Sequence, residues 1–179
     1  MDAVVICVEQ AGLGEFSLED VAAEAGVGRA TIYRHFRGGR DQLVSETITR
    51  EVAWFWQDLA QAVAPYDTLE DRLVFGLVSA GQRLADHDLL QRLLISEPDR
   101  LLAELATSEL LVISVLADYI RTLLATETLA QGITLDDAAD YLTRMLFSFI
   151  GTPGCWDLSD TNAVRRLVRT QFLAGVLAE

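Results

Sequence analysis

The chain has 179 residues, 51% of them hydrophobic, with 14 basic residues, all Arg, against 27 Asp and Glu, for a formal charge of −13. Without Lys there is no P-loop, no pyridoxal Schiff base and no lysine nucleophile. The apolar share, with only three Pro, favours a packed helical core over disorder.

In chain order, the first helix opens almost at Met1-Asp2-Ala3-Val4-Val5, with Cys7 among Val4, Val5 and Val8 read as a small buried hydrophobe. Leu18, Val21, Ala22 and Ala25 recur at helical spacing and predict a second, short helix. Ser17 is its N-cap, with Asp20 in its first turn. Gly26 can take positive φ and end it, Val27 can plug the angle that follows, and Gly28 caps a third helix from Arg29 to about Phe36. Val44, Ile48, Val52, Phe55 and Leu59 predict one long helix over 40–63, closed by Pro65.

Leu69, Leu73, Leu77 and Leu84 predict a helix over 68–86, and a short one follows at 88–95. A long apolar helix runs from Asp99 to about Ala130, and Thr134 caps another over 135–150. Gly151-Thr152-Pro153-Gly154 breaks the chain, and Asp160 starts a last helix over 160–178. No alternating strand pattern and no internal repeat is present, so the expected class is all-α. No apolar run is long and charge-free enough for a membrane span, and Asp2 without a basic cluster does not read as a secretory signal. A cytoplasmic protein is expected. Two cysteines make no disulfide framework, and Cys155 reads as a structural thiol rather than a redox sensor.

The segment FSLEDVAAEAGVGRATIYRHF, from Phe16 to Phe36, carries the most specific chemistry. Ile32 and Phe36 share one face of the third helix and pack inward, leaving Arg29, Ala30, Thr31, Tyr33, Arg34 and His35 outward. Arg reads guanine edges bidentately, an Ala methyl touches a thymine methyl, and Thr, Tyr and His donate to phosphates. This is the layout of a helix-turn-helix whose second helix enters a DNA major groove. The charge runs against it, since residues 1–50 hold five Arg and eight acids. Arg29, Arg34, Arg37 and Arg40 nevertheless fall within twelve residues of one another, and screening fades distant charges within about 8–10 Å.

AGVGRATIYRHF, with the glycine turn and Asp41-Gln42-Leu43 after it, resembles the signature of the tetracycline-repressor (TetR) family over about residues 1–50. The lactose-repressor family has a similar reader, but continues into a large α/β domain that this helical chain is too short to hold. The TetR resemblance implies an N-terminal three-helix DNA-binding domain, residues 1–45, and a C-terminal helical domain for effector binding and dimerisation, residues 46–179. It implies a phosphate contact at Ser17, base contacts at Arg29, Ala30 and Arg34, backbone contacts at Thr31, Tyr33 and His35, and a role for Arg40 where the family usually has Lys. Gly28 departs from the usual Ser cap, the loop Arg37-Gly38-Gly39-Arg40 is one residue longer than the family's common loop, and the family's basic arm is not seen ahead of the first helix.

The helices over 135–150 and 160–178 have apolar faces broad enough to need a partner, and Met145, Leu146, Phe149, Leu167, Val168 and Phe172 are expected in a homodimer interface. Trp54, Trp56, Phe75, His87, Tyr119, Arg121, Phe147 and Trp156 are candidates to line a pocket for a small apolar or aromatic effector. No G-x-S-x-G, H-E-x-x-H or C-x-x-C occurs, and Ala85-Asp86-His87-Asp88 reads as a helix end rather than a catalytic base, so neither enzyme, metal nor cofactor is expected. The expected function is a ligand-responsive, sequence-specific DNA-binding regulator, a repressor released from a double-stranded operator by its effector. The alternative is an all-α interaction module that has lost DNA binding.

Overall fold

Caps and breakers set the helix ends. The structure, a computed structural model, describes residues 1–178, with side chains throughout except at 108–111. In chain order the helices are α1 (Asp2–Glu15), α2 (Leu18–Glu24), α3 (Arg29–His35), α4 (Gly39–Val63), α5 (Leu69–Ala85), α6 (Asp88–Ser96), α7 (Pro98–Leu124), α8 (Leu135–Gly151) and α9 (Thr161–Leu167), the last continuing as a π-helical turn over Val168–Phe172. Thr68, Thr134 and Asp160 each accept a backbone N–H at the start of α5, α8 and α9. The class is all-α. Among the described residues a single antiparallel bridge, Leu129 to Leu177, stands outside helices and turns, and no helix is long and apolar enough to cross a membrane.

The residues divide into two units, one of Met1–Trp54 with His87–Leu110, the other of Phe55–Asp86 with the chain from Leu111 onward. The unit that holds the reader is thus wider than residues 1–45: it takes in the start of α4, all of α6 and the start of α7. Its core gathers Val4, Cys7, Leu13, Phe16, Val21, Ile32 and Leu43 with Leu93 and Leu101. Burial, with Glu24 and Asp20 nearby, pushes the Cys7 thiol up and keeps it unreactive.

One feature of α1 has no counterpart in the periodicity. The helix breaks at Gly12, whose φ of +83 and ψ of 174 lie in a region only glycine occupies readily. The break frees the N–H of Leu13, which donates to Glu97 Oε1 at 2.8 Å. A Cβ on Gly12 would lie 2.4 Å from that oxygen. Gly12→Ala should therefore cost about 1–3 kcal/mol from backbone strain alone, read as a lower midpoint in urea unfolding. A midpoint equal to the parent's would mean that α1 straightens without loss.

The second unit packs α5, α8 and α9 around Leu73, Val74, Leu77, Leu142, Leu167 and Phe172. Arg165 reaches Glu70 at 2.7 Å and Asp71 at 2.8 Å, and Arg169 reaches Glu70 at 3.0 Å, tying α9 and its π turn to the start of α5. The hydrogen bond from Arg169, with a further one from Arg165, holds the Glu70 carboxyl below its ordinary value of 4.5. A carboxylate depressed in the folded state contributes stability above its unfolded value, and that stability fades as pH falls through the folded one. Melting temperature should thus drop less steeply between about pH 5 and about pH 3 in Glu70→Gln than in the parent.

Two helix ends differ from the sequence reading. α7 stops at Leu124 rather than near Ala130, and the last helix stops at Phe172 rather than running on to 178. Gly175, at φ +77, turns the chain back. Ala130 N–H then donates to Val176 O and Ala178 N–H to Thr128 O, both at 2.9 Å. These bonds satisfy backbone groups that a longer helix would have paired internally. Cys155 is exposed in the turn after α8.

Candidate nucleic-acid interface and effector cavity

The reader is built by its local chemistry. Ser17 and Asp20 form a reciprocal capping box at the start of α2: Ser17 N–H donates to Asp20 Oδ2 at 2.8 Å and Asp20 N–H to Ser17 Oγ at 3.2 Å. The bond from the Ser17 backbone and, after it, one from the Ser17 hydroxyl hold the Asp20 carboxyl below the usual carboxylate range. At the other end Gly26, φ +64, lets its own N–H reach Ala23 O at 3.1 Å and that of Val27 reach Ala22 O at 3.0 Å. This pair closes the helix in a Schellman turn. Val27, expected to plug the interhelical angle, is 40% exposed. It takes part in the turn through its backbone, which leaves the side chain outside.

On α3, Ile32 is buried, Thr31 half-buried, and Arg29, Ala30, Tyr33, Arg34 and His35 are exposed. Arg34 and His35 make no ion pair or hydrogen bond with any described residue, so both are available to a partner. Arg29 is held. Its Nη1 lies 2.5 Å from Glu19 Oε1, its Nη2 donates to the Tyr33 hydroxyl at 3.2 Å, and its guanidinium sits 5.0 Å from the Tyr33 ring centre. The hydrogen bond with Tyr33, then the Glu19 charge, hold Arg29 even more firmly protonated than usual.

Two residues expected at the DNA face are engaged by neighbours in their own unit. Ser17 Oγ, besides capping α2, donates to Asp20 Oδ2 at 2.7 Å. Arg40 turns inward: its Nε donates to Phe16 O at 2.9 Å and its guanidinium stacks 4.5 Å from the Phe16 ring centre. Its side chain is 20% exposed and its Nη2 is buried without a partner. Arg40 is a staple for the α1–α2 corner, because Phe16 is buried there and offers both a carbonyl and a ring.

In the second unit a half-open cavity of about 50 Å³ is lined by Trp56, Leu59, Ala60, Val63, Arg72, Leu73, Gly76, Leu116, Tyr119, Ile120, Leu123, Leu146 and Ile150. Of the eight expected pocket residues, Trp56 and Tyr119 reach it. Phe147 packs on Trp56 with ring centres 5.0 Å apart. Phe75 stacks on Tyr66 at 4.1 Å instead. Trp156 lies under Arg166, and Arg121 is engaged on the surface by Asp118 and, at 2.8 Å, Asp136. Trp54 and His87 belong to the other unit. Trp54 is 49% exposed beneath Arg50, and His87 caps α6 by accepting the Leu90 N–H at 3.2 Å on Nδ1.

The expected interface residues are mostly consumed within the chain. Leu167, Val168 and Phe172 are fully buried in the second unit's core and Leu146 faces the cavity. Met145 and Phe149 are half-buried, Phe149 against Phe172 with ring centres 5.5 Å apart.

Residues 1–47 match the model of the bacterial regulatory proteins of the tetR family. The match is to the first 47 of the 179 residues of this chain. Its fold is similar to that of the TetR-family repressor AlkX from Dietzia sp. strain DQ12-45-1b, implicated in biodegradation of n-alkanes, at 21% identity and TM-score 0.68 over 98% of this chain and 96% of that one. It is similar to a TetR-family regulator from Mesorhizobium loti MAFF303099, at 18% identity and TM-score 0.64 over 99% and 94%. A third likeness is to SmeT, the repressor of the Stenotrophomonas maltophilia efflux pump SmeDEF, at 19% identity and TM-score 0.59 over 99% and 88%. No curated protein matches the chain in sequence.

Sequence reasoning about this reader missed Glu19, which lies on α2 while its partner Arg29 lies on α3. The signal available was a carboxylate in the first turn of α2, one residue before the capping Asp20.

Proposed function

We propose that this protein is a TetR-family, ligand-responsive, sequence-specific DNA-binding transcriptional regulator, acting as a repressor that an effector releases from its operator. The observation that carries the reading is the outward face of α3: Arg29, Ala30, Tyr33, Arg34 and His35 exposed around a single buried anchor, Ile32. A helix so presented suits a major groove, with Arg34 and Arg29 toward bases and Thr31, Tyr33 and His35 toward the backbone. Residues 1–45 serve as the reader. The chain from residue 46 supplies effector binding and dimerisation, although 46–54 and 87–110 pack with the reader.

The working form is a homodimer in the cytoplasm, since two readers on half-sites about one DNA turn apart multiply affinity and selectivity. Met145 and Phe149, with the exposed Tyr141 and Arg144 of α8, are the remaining candidates for its interface. The effector is an apolar small molecule in the Trp56–Tyr119 cavity, and it acts by favouring a dimer geometry that fits DNA poorly. AlkX and SmeT, both repressors by name, support a repressor reading. No catalytic step is assigned.

The test is selection from a random duplex library at about 0.15 M salt, where phosphate-only binding is suppressed. A palindrome recovered by the parent and lost in Arg34→Ala is the expected result. No enrichment by a protein that is folded and dimeric would leave the interaction-module reading instead.

A further inference from the structure

The second unit is rich in carboxylates, and its guanidinium groups are nearly all matched to them. Arg83 meets Asp58, Arg121 meets Asp118 and Asp136, Arg144 meets Asp140, and Arg165 and Arg169 share Glu70. Arg166 lies over the Trp156 ring. Arg72 differs: it makes no ion pair with any described residue, and it is the one charged side chain among those lining the cavity.

Its position is fixed from behind. Arg72 Nε donates to Tyr66 O at 2.6 Å, and Tyr66 is itself held by parallel stacking on Phe75, with ring centres 4.1 Å apart. That bond uses one of the five guanidinium donors and sets the plane, leaving the two terminal nitrogens for a partner. A planar pair of N–H donors matches the two oxygens of a carboxylate. Besides Arg72, only Tyr119 and Trp56 among the lining residues carry a polar side-chain group, and the other lining side chains are apolar.

We propose that the effector is an amphiphilic carboxylic acid, its apolar body among Trp56, Leu116, Ile120 and Leu123 and its carboxylate on Arg72. This rests on the reading of the cavity as the effector site and adds the head group to it. A neutral hydrocarbon would fill the same walls but leave Arg72 without a counter-charge. An anion without an apolar body would gain nothing from the walls, which are the larger part of the site.

Equilibrium dialysis of the full-length protein against the straight-chain acids hexanoate to dodecanoate, each beside the alcohol of the same length, tests the assignment below micelle-forming concentrations. For the best-fitting length the acid should bind at least on the order of tenfold tighter than the alcohol, the scale of one charge-assisted bidentate contact. Arg72→Gln should erase that preference while leaving alcohol binding within about twofold, and Arg72→Lys should restore only part of it because a point charge lacks the fork. Unchanged alcohol binding in Arg72→Gln shows that the variant is folded. Equal binding of acid and alcohol, unaltered by Arg72→Gln, overturns the head-group assignment and leaves the cavity reading standing. If no member of either series binds, both fall together.

Discussion

Phe172→Ala should destabilise the protein by about 3–5 kcal/mol, the usual penalty for emptying a buried aromatic site. Phe172 is 0% exposed, in a π turn that packs with Leu167, Val168 and Phe149 in the second unit's core. Nothing around it can collapse cheaply, because Val164, Leu167 and Val168 are fully buried as well. Against a typical total of about 5–15 kcal/mol, such a loss takes a third or more of the stability. The measurement is urea unfolding at two protein concentrations. A residue in the subunit core lowers the midpoint by the same amount at both, whereas one in a dimer interface makes the deficit depend on concentration. A Phe172→Ala protein that unfolds like the parent but dissociates more readily would return Phe172 to the interface where its stripe first suggested it belonged.

The contrast between Phe172 and Ser17 shows what kind of information a sequence holds. Ser17, Asp20 and Gly26 act on backbone groups within three to five residues, so the start and end of α2 could be read directly. The all-α class and most helix ends followed from the same short-range rules. Phe172 and Leu167 were recognised as apolar and inward, but periodicity says that a face is covered and not what covers it. The same limit applies to the cavity. Trp56 and Tyr119 were found as large aromatics, while Arg72 was overlooked because only packing shows where neighbouring helices leave a gap. The engagement of Arg40 was not legible for a related reason. Its partner Phe16 lies 24 residues earlier, so only the packed structure shows the carbonyl and the ring that Arg40 engages. Glu97 reaches Leu13 across 84 residues, a bond that depends on the local break at Gly12 and on tertiary packing together.

On the base contact proposed for Arg29, Arg29→Ala should weaken binding to the selected operator roughly ten- to a hundredfold, the loss of one bidentate pair. The structure adds a condition to that expectation, because Arg29 must first leave Glu19 and Tyr33. While Glu19 stays beside it, the pair brings no net charge to the DNA, so it displaces few counterions. Glu19→Gln frees the guanidinium. Affinity for any duplex should then rise several-fold, and the slope of log affinity against log salt should steepen by about one phosphate's worth. Specificity should fall, since the gain goes to every sequence and the base contact to only one. Glu19 in this reading raises the selectivity of the reader by holding back its lead arginine until a guanine edge competes for it. The decisive comparison is Glu19→Gln made in an Arg29→Ala background, where the carboxylate has nothing left to hold. A gain there as large as in the parent would show that Glu19 acts by plain repulsion of phosphates. A gain reduced to about twofold or less would place its action on Arg29.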